Sequence, residues 1–158
     1  MGFWESEAGK ILYTFLLSMV PVSELRGAIP IGIGSGLNPF VAATVSIIGN
    51  LIPAPFIIIF IRRIFSAIRR IFPKFNGLIT RLEQRAEKKS DIVKRCSFWG
   101  LFLLVAIPIP GTGAWTGALV AAMLDMRLKR ALPAITAGVI VAGIIITFVT
   151  CGFGALLF

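Results

Sequence analysis

The chain of 158 residues has no histidine, only two cysteines and only seven acidic residues. Without histidine it lacks the commonest metal ligand and general base. The sequence also contains no evident pair of nucleophile and base and no cluster of metal ligands. We therefore predict that the protein is not an enzyme and that it uses no cofactor and no metal. Cys96 and Cys151 are expected at opposite faces of a membrane, which argues against a disulfide between them.

Hydrophobic residues, by contrast, are abundant. They make up 57% of the chain, and the mean hydropathy is +0.92. A soluble domain of this length cannot bury so much apolar surface, so we predict an integral membrane protein made of α-helices. There is room for one membrane domain, residues 1–158, whose first partner is the lipid bilayer.

Positive charge is concentrated in one stretch. Eleven of the 16 basic residues lie between Arg62 and Arg95, together with three of the seven acidic residues. A basic block between two hydrophobic halves is the positive-inside pattern of a cytoplasmic loop. Nucleic acid is not expected as a partner, because no aromatic and basic reading surface accompanies the charge. The domain thus divides into a first part (1–61), a basic linker (62–96) and a second part (97–158).

Four apolar segments can be counted, at about 11–33, 39–61, 97–123 and 131–158. Four crossings would place the cluster of Arg127, Lys129 and Arg130 on the side opposite the linker, against the positive-inside rule. Segments one and three are each broken near the middle, by PVSELRGAIP (21–30) and by IPIPGTGAW (107–115). Proline removes a backbone donor and glycine permits a reversal, so both segments are predicted to turn back at the midplane.

These breaks predict a specific fold class. It is an all-α membrane protein with two inverted repeats, each a re-entrant helical hairpin followed by one transmembrane helix, joined by a basic amphipathic cytoplasmic linker. Residues 62–96 and 127–130 would be cytoplasmic, and both termini would be outside. With so few full spans, we expect the chain to form a homodimer that shields its tips.

The two broken tips are the predicted substrate site. Ser23 and Thr112 are the predicted N-caps of the returning half-helices, whose N–H groups would aim at the centre and attract an anion. Arg26 would add a bidentate cation. The glycines of the second tip, Gly111 and Gly113, are assigned to the same site.

Glu24 has a different predicted role. Burial in low dielectric favours the protonated form of a carboxyl group, whereas a nearby guanidinium favours the ionised form. A carboxyl group balanced in this way can change protonation when a substrate arrives, which is how proton coupling is built. The alternative is that Glu24 and Arg26 form a salt bridge that closes the first tip.

Other candidates have two open interpretations. Trp115 either lines the cavity or only packs, and Gly113-x-x-x-Gly117 favours close helix packing over substrate contact. Asn50, a polar residue within a span, is expected to hydrogen-bond either a tip or another helix.

The start of the linker, RRIFSAIRRIF (62–72), predicts an interfacial helix. Its arginines would lie on one side, facing the anionic lipids of the cytoplasmic leaflet, and its apolar side chains on the other. The arginines are Arg62, Arg63, Arg69 and Arg70, and the apolar residues are Ile64, Phe65, Ile68, Ile71 and Phe72.

The stretches PVSELRGAIPIGIGSGLNP and IPIPGTGAWTGALVA, in this order and separated by a basic linker, resemble the family of putative small multidrug export proteins. That family is similar to a distant branch of the DedA superfamily, whose members have paired re-entrant hairpins and include carriers of undecaprenyl phosphate and lipid scramblases. The resemblance implies a transporter in the plasma (inner) membrane of a prokaryote. By motif, the acidic residue of the first tip is Glu24 and its basic neighbour is Arg26. The second tip departs from typical DedA proteins, because GTGAWTG has no arginine and Arg127 is the nearest.

Together these observations predict a proton-responsive transporter of a small amphipathic anionic substrate, such as a polyprenyl or lipid phosphate. Glu24 would respond to protons, while Arg26 and the tip N–H groups would hold the anion. A proton-coupled exporter of cationic drugs, in which ionised Glu24 binds the cation, is one alternative. A membrane scaffold that transports nothing is another.

Overall fold

The computed structural model describes residues 5–96, 98–109 and 111–157, and these residues form helices and no strand. The helices are α1 (Glu7–Met19), α2 (Glu24–Gly34), α3 (Pro39–Leu51), α4 (Pro53–Ile71), α5 (Asn76–Cys96), α6 (Phe98–Ala106), α7 (Ala114–Met123) and α8 (Leu128–Leu157), with a 3₁₀ turn at Pro73–Phe75. The predicted all-α class is confirmed.

The starts of α1 and α3 follow from local sequence. The Ser6 hydroxyl accepts a hydrogen bond from the backbone N–H of Gly9 at 3.1 Å, which caps α1. The Asn38 side chain accepts from the N–H of Phe40 at 2.9 Å, and Pro39 occupies the first position of α3, where its missing N–H costs nothing. Both helices therefore begin at side chains that satisfy otherwise unpaired N–H groups.

Two helical stretches among the described residues are long and apolar enough to cross a membrane, Pro39–Ile61 and Leu128–Phe153. The first coincides with the second apolar segment, and the second overlaps the fourth but begins and ends earlier than the predicted 131–158. The first and third segments are interrupted, since α1 ends at Met19 and α6 ends at Ala106, in each case several residues before the next helix begins. The breaks at the two tips are therefore present, although Pro110 lies outside the described residues. The re-entrant path and the inverted repeat stay predictions.

One boundary differs from the sequence expectation. The interfacial helix does not start afresh in the linker at Arg62, because α4 runs without interruption from Pro53 to Ile71. The break falls instead at Ile52, just before Pro53 and Pro55, which cannot continue the hydrogen-bond ladder of α3. The second half of this apolar segment thus continues directly into the basic linker within α4.

The core lies where α6, α7 and α8 meet α2 and α4. Close approach there depends on small residues: a Cβ at Gly117 or Gly138 would collide with the side chain of Val105 on α6. The packing interpretation of Gly117 therefore agrees with the structure. These glycines therefore let α7 and α8 approach α6 closely.

Candidate functional site

The first tip is the irregular turn between α1 and α2. Met19 ends α1, and the N–H of Glu24 bonds to the carbonyl of Val20 at 2.8 Å, which reverses the chain. Glu24 begins α2 with φ of 48°, a left-handed conformation that is uncommon for a residue with a side chain. Such strain at a buried charged residue is typical of functional sites.

The second tip lies between α6 and α7. Gly111 and Gly113 have φ of 81° and 138°, so both glycines that were expected to permit the reversal adopt backbone conformations that favour glycine. The Thr112 hydroxyl lies 2.9 Å from the carbonyl oxygen of Ile107 and 2.8 Å from that of Ile109, and its proton is shared between them. The tip is therefore held closed by its own threonine.

The carboxyl group of Glu24 crosses to the second tip. The residue is only 5% exposed, and its Oε1 accepts a hydrogen bond from the backbone N–H of Trp115 at 3.2 Å, in the first turn of α7. A Cβ at Gly113 would collide with this carboxyl group, so the absence of a side chain there makes the contact possible. Glu24 thus lies at the helix N-terminus that was expected to attract an anion.

Arg26 also crosses to the second tip, and bonds to its other end. One guanidinium nitrogen donates to the Ile109 carbonyl, and the other lies 3.3 Å from the Ile107 carbonyl and 2.8 Å from the Thr112 hydroxyl. These carbonyls follow the C-terminus of α6, where a cation is favoured. The planar guanidinium can donate to several acceptors at once, which an ammonium group does with less fixed geometry.

Trp115 makes the reverse contact, from the second tip to the first. Its indole Nε1 donates to the carbonyl of Met19, the last residue of α1, at 3.1 Å. Each tip therefore supplies a donor to the C-terminal end of the helix that enters the other tip: Trp115 for α1 and Arg26 for the end of α6. Counted from Ser23 and Thr112, Arg26 and Trp115 stand at the same position in their tips, as do Glu24 and Gly113.

One alternative for the tips is not observed, and one expectation about them needs correction. No ion pair joins Glu24 to Arg26 in the part of the chain that the structure describes, so the salt bridge within the first tip is not observed. Thr112 is not the N-cap of α7, because Gly113 holds that position and the threonine bonds backward to α6 carbonyls. Ser23 does precede α2, but its side chain makes no capping hydrogen bond.

Asn50 lies apart from these contacts. It is 1% exposed on α3, and neither polar atom of its side chain has a partner among the described residues, so neither expected hydrogen bond, to a tip or to another helix, is observed there. Ser46, one turn earlier, is also buried with an unpaired hydroxyl. Thr14 and Ser18 of α1 are buried too, but their hydroxyls bond to carbonyls of their own helix.

The sequence interpretation missed this polar interface between α1 and α3. The signal was available, since Thr14 and Ser18, like Ser46 and Asn50, are four residues apart and share one helix face. It was missed because single hydroxyl residues in apolar helices are common and bond to their own backbone. The contacts between the tips were not predicted residue by residue either.

Comparison with known proteins supports a membrane function. Residues 24–145 match the model of a family described as "Putative small multi-drug export protein". The match includes both tips and the linker between them. No curated protein and no solved structure matches the chain. The relation to the DedA superfamily therefore stays a prediction.

Proposed function

The chain belongs to the family of putative small multi-drug export proteins, and on this premise we propose that it is a membrane transporter whose substrate site lies between the two tips. The observation that carries the proposal is that both charged side chains of the first tip, Glu24 and Arg26, bond to the second tip. Polar contacts of this kind can be exchanged for contacts with a substrate at small net cost, because each hydrogen bond lost is replaced by another.

The tips also suggest the charge of the substrate. The Glu24 carboxyl group lies where a substrate anion would bind, at the N–H groups that open α7. A phosphate at this place would accept from the N–H of Trp115 and from the guanidinium of Arg26, which would exchange its carbonyl partners for a charged one. We therefore favour an amphipathic anion such as a polyprenyl or lipid phosphate.

Protons enter the proposal through Glu24. Protonation removes the negative charge that the N-terminus of α7 favours, and so weakens the contact between the tips. A neutral Glu24 leaves this helix end to the substrate anion, and its later ionisation displaces the anion. Proton binding and anion binding at the same helix end would then be coupled.

The test is reconstitution in liposomes with a fluorescent polyprenyl phosphate, in parallel with a fluorescent lipophilic cation. The variants are Glu24→Gln, which keeps the size of the side chain but cannot titrate, and Arg26→Lys, which keeps the charge but not the planar fork. Glu5→Gln is the matched control, because it removes one acidic group from the exposed surface of the same half. We expect wild type and Glu5→Gln to move the phosphate, and both tip variants to move it at least about tenfold more slowly. Arg26→Lys loses roughly one charged hydrogen bond to the phosphate, and Glu24→Gln cannot ionise to displace it.

Each other outcome contradicts part of the proposal. Movement of the cation but not of the phosphate would replace the anion carrier by a cation exporter with ionised Glu24 as its site. Movement of neither probe would overturn transport of these classes and favour a scaffold. Unchanged phosphate transport in both tip variants would show that the site lies elsewhere.

A further inference from the structure

The helix α4 extends beyond its apolar part. The candidate span ends at Ile61, but α4 continues for ten residues to Ile71. At 1.5 Å per residue this extension is about 15 Å long. The headgroup region on each side of a ~30 Å hydrocarbon core is about 5–7 Å thick, so about the first turn after Ile61 lies at its depth and the rest of the extension lies beyond it.

The extension has three faces instead of the two predicted. Phe65, expected to face lipid, is only 8% exposed and packs inside the protein on the same side as Ile61 and Ile68. Ile64 and Ile71 form a separate apolar strip, 45% and 66% exposed. The basic residues lie next to this strip. A helix that lies at the membrane surface typically has such an arrangement, with an apolar face toward the lipid chains and a basic face toward the anionic headgroups.

The arginines of the extension differ in their partners. Arg69 forms an ion pair with Glu83 of α5, and its charge is thereby matched within the protein. Arg63 and Arg70 are exposed and have no ion-pair partner among the residues that the structure describes. Among the arginines of the extension whose side chains the structure describes, these two therefore carry the charge available to an outside partner.

Arg63 and Arg70 lie in one groove. An open surface pocket of about 520 Å³ runs along this face, and the described residues that line it are Arg63, Ser66, Ala67, Arg70 and Ile71. These positions follow the three- and four-residue spacing of one helix face. The two arginines stand two turns apart, the serine hydroxyl lies between them, and the small side chain of Ala67 leaves the groove open.

We propose that this groove is a dedicated binding site for the phosphate headgroup of one anionic membrane lipid. Arg63 and Arg70 pair with the phosphate from either side, and Ser66 donates to it. The acyl chains lie along Ile64, the residue of the apolar strip that is nearer the hydrocarbon core. The site is distinct from the tips and does not depend on transport between them. It binds a resident lipid at the membrane surface and not a carried substrate.

The test measures lipid retained by the purified full-length protein in native mass spectrometry. The protein is reconstituted in phosphatidylcholine with a minor fraction of phosphatidylglycerol and then released into mild detergent. The variant is the double substitution Arg63→Gln and Arg70→Gln. The matched control is Arg81→Gln and Arg85→Gln, which removes the same charge from exposed positions of α5. A third variant, Ala67→Leu, fills the groove without changing any charge.

We expect wild type and the α5 control to retain one phosphatidylglycerol. The affinity of the groove variant should fall about 30-fold, because each arginine near an anionic surface contributes about 1 kcal/mol. Ala67→Leu should also lose the retained lipid. Circular dichroism should show the same helix content in all variants, since the substituted side chains are exposed. Three outcomes would overturn the proposal. Equal losses of lipid in the α5 control and the groove variant would reduce the effect to general charge attraction. Retention of phosphatidylcholine in place of phosphatidylglycerol, or an unchanged lipid count in Ala67→Leu, would show that the groove does not select the anionic headgroup.

Discussion

Replacing Gly113 by alanine tests the contact between the tips most directly. Two penalties are expected at this position. Gly113 has φ of 138° and ψ of −168°, a region that only glycine populates readily, so a side chain there costs about 1–3 kcal/mol of backbone strain. The new Cβ would also displace the Glu24 carboxyl group from the N–H of Trp115, and losing a hydrogen bond to a buried group costs about 1–3 kcal/mol.

The two penalties can be separated with matched glycines. Gly36 has φ of 94° but only the end of the Lys10 side chain near its would-be Cβ, so Gly36→Ala should show strain alone, about 1–3 kcal/mol. Gly34 is exposed, lies at the end of α2 and has open space around it, so Gly34→Ala should be neutral or slightly stabilising. Gly113→Ala should exceed both, at about 2–6 kcal/mol.

The assay is equilibrium unfolding in mixed detergent and SDS micelles, followed by circular dichroism. Each substitution is measured in the wild-type chain, and Gly113→Ala is also measured with Glu24→Ala. Without the carboxyl group, the cost of Gly113→Ala should fall to the strain part, about 1–3 kcal/mol, which gives a positive coupling between the two sites. Equal costs of Gly113→Ala in the two backgrounds would refute the contact, and a cost no larger than that of Gly34→Ala would refute the backbone conformation as well.

Two further predictions concern single side chains. Trp115→Phe keeps an aromatic ring but removes the N–H that donates to the Met19 carbonyl. The free energy of unfolding, measured in the same micelles, should therefore fall by about 0.5–1.5 kcal/mol. An unchanged free energy would show that the end of α1 does not depend on this hydrogen bond. Asn50→Leu replaces a buried side chain whose two polar atoms are unpaired by an apolar one of similar size, so stability should be unchanged or rise by about 1 kcal/mol. A loss of more than about 2 kcal/mol would mean that the amide has partners that the described contacts do not include.

The sequence was informative about local structure because the signals involved are local. Proline and glycine at the centres of two apolar segments remove donors and permit reversals, and α1 and α6 end just before them. The lengths of the other two segments predicted the stretches that can span a bilayer, Pro39–Ile61 and Leu128–Phe153. Concentration of basic residues marked the linker. Glu24 and Arg26 were conspicuous because no other charge occurs between Ile11 and Ile61.

Where local signals competed, the sequence interpretation failed. Thr112 is a good N-cap residue, but the backbone conformation of Gly113 made the glycine the cap and left the threonine to bond backward. The helical wheel of residues 62–72 placed Phe65 toward lipid, whereas packing of α4 against the core buried it. The first outcome was decided by the backbone conformation of the turn and the second by tertiary packing, and the residue types alone specify neither.

The sequence by itself determined where the chain must break, which segments are apolar enough to cross a membrane and where its charge lies, because these depend on residue type and spacing. Only the tertiary structure decided what the two charges do. Glu24 bonds to Trp115, 91 residues further along the chain, and Arg26 to Thr112, 86 residues further along. No local pattern encodes such pairs, since they form only when packing of the helices brings the two tips together. Within the described residues, the two charged side chains of the first tip bond to the other half of the protein and not to each other.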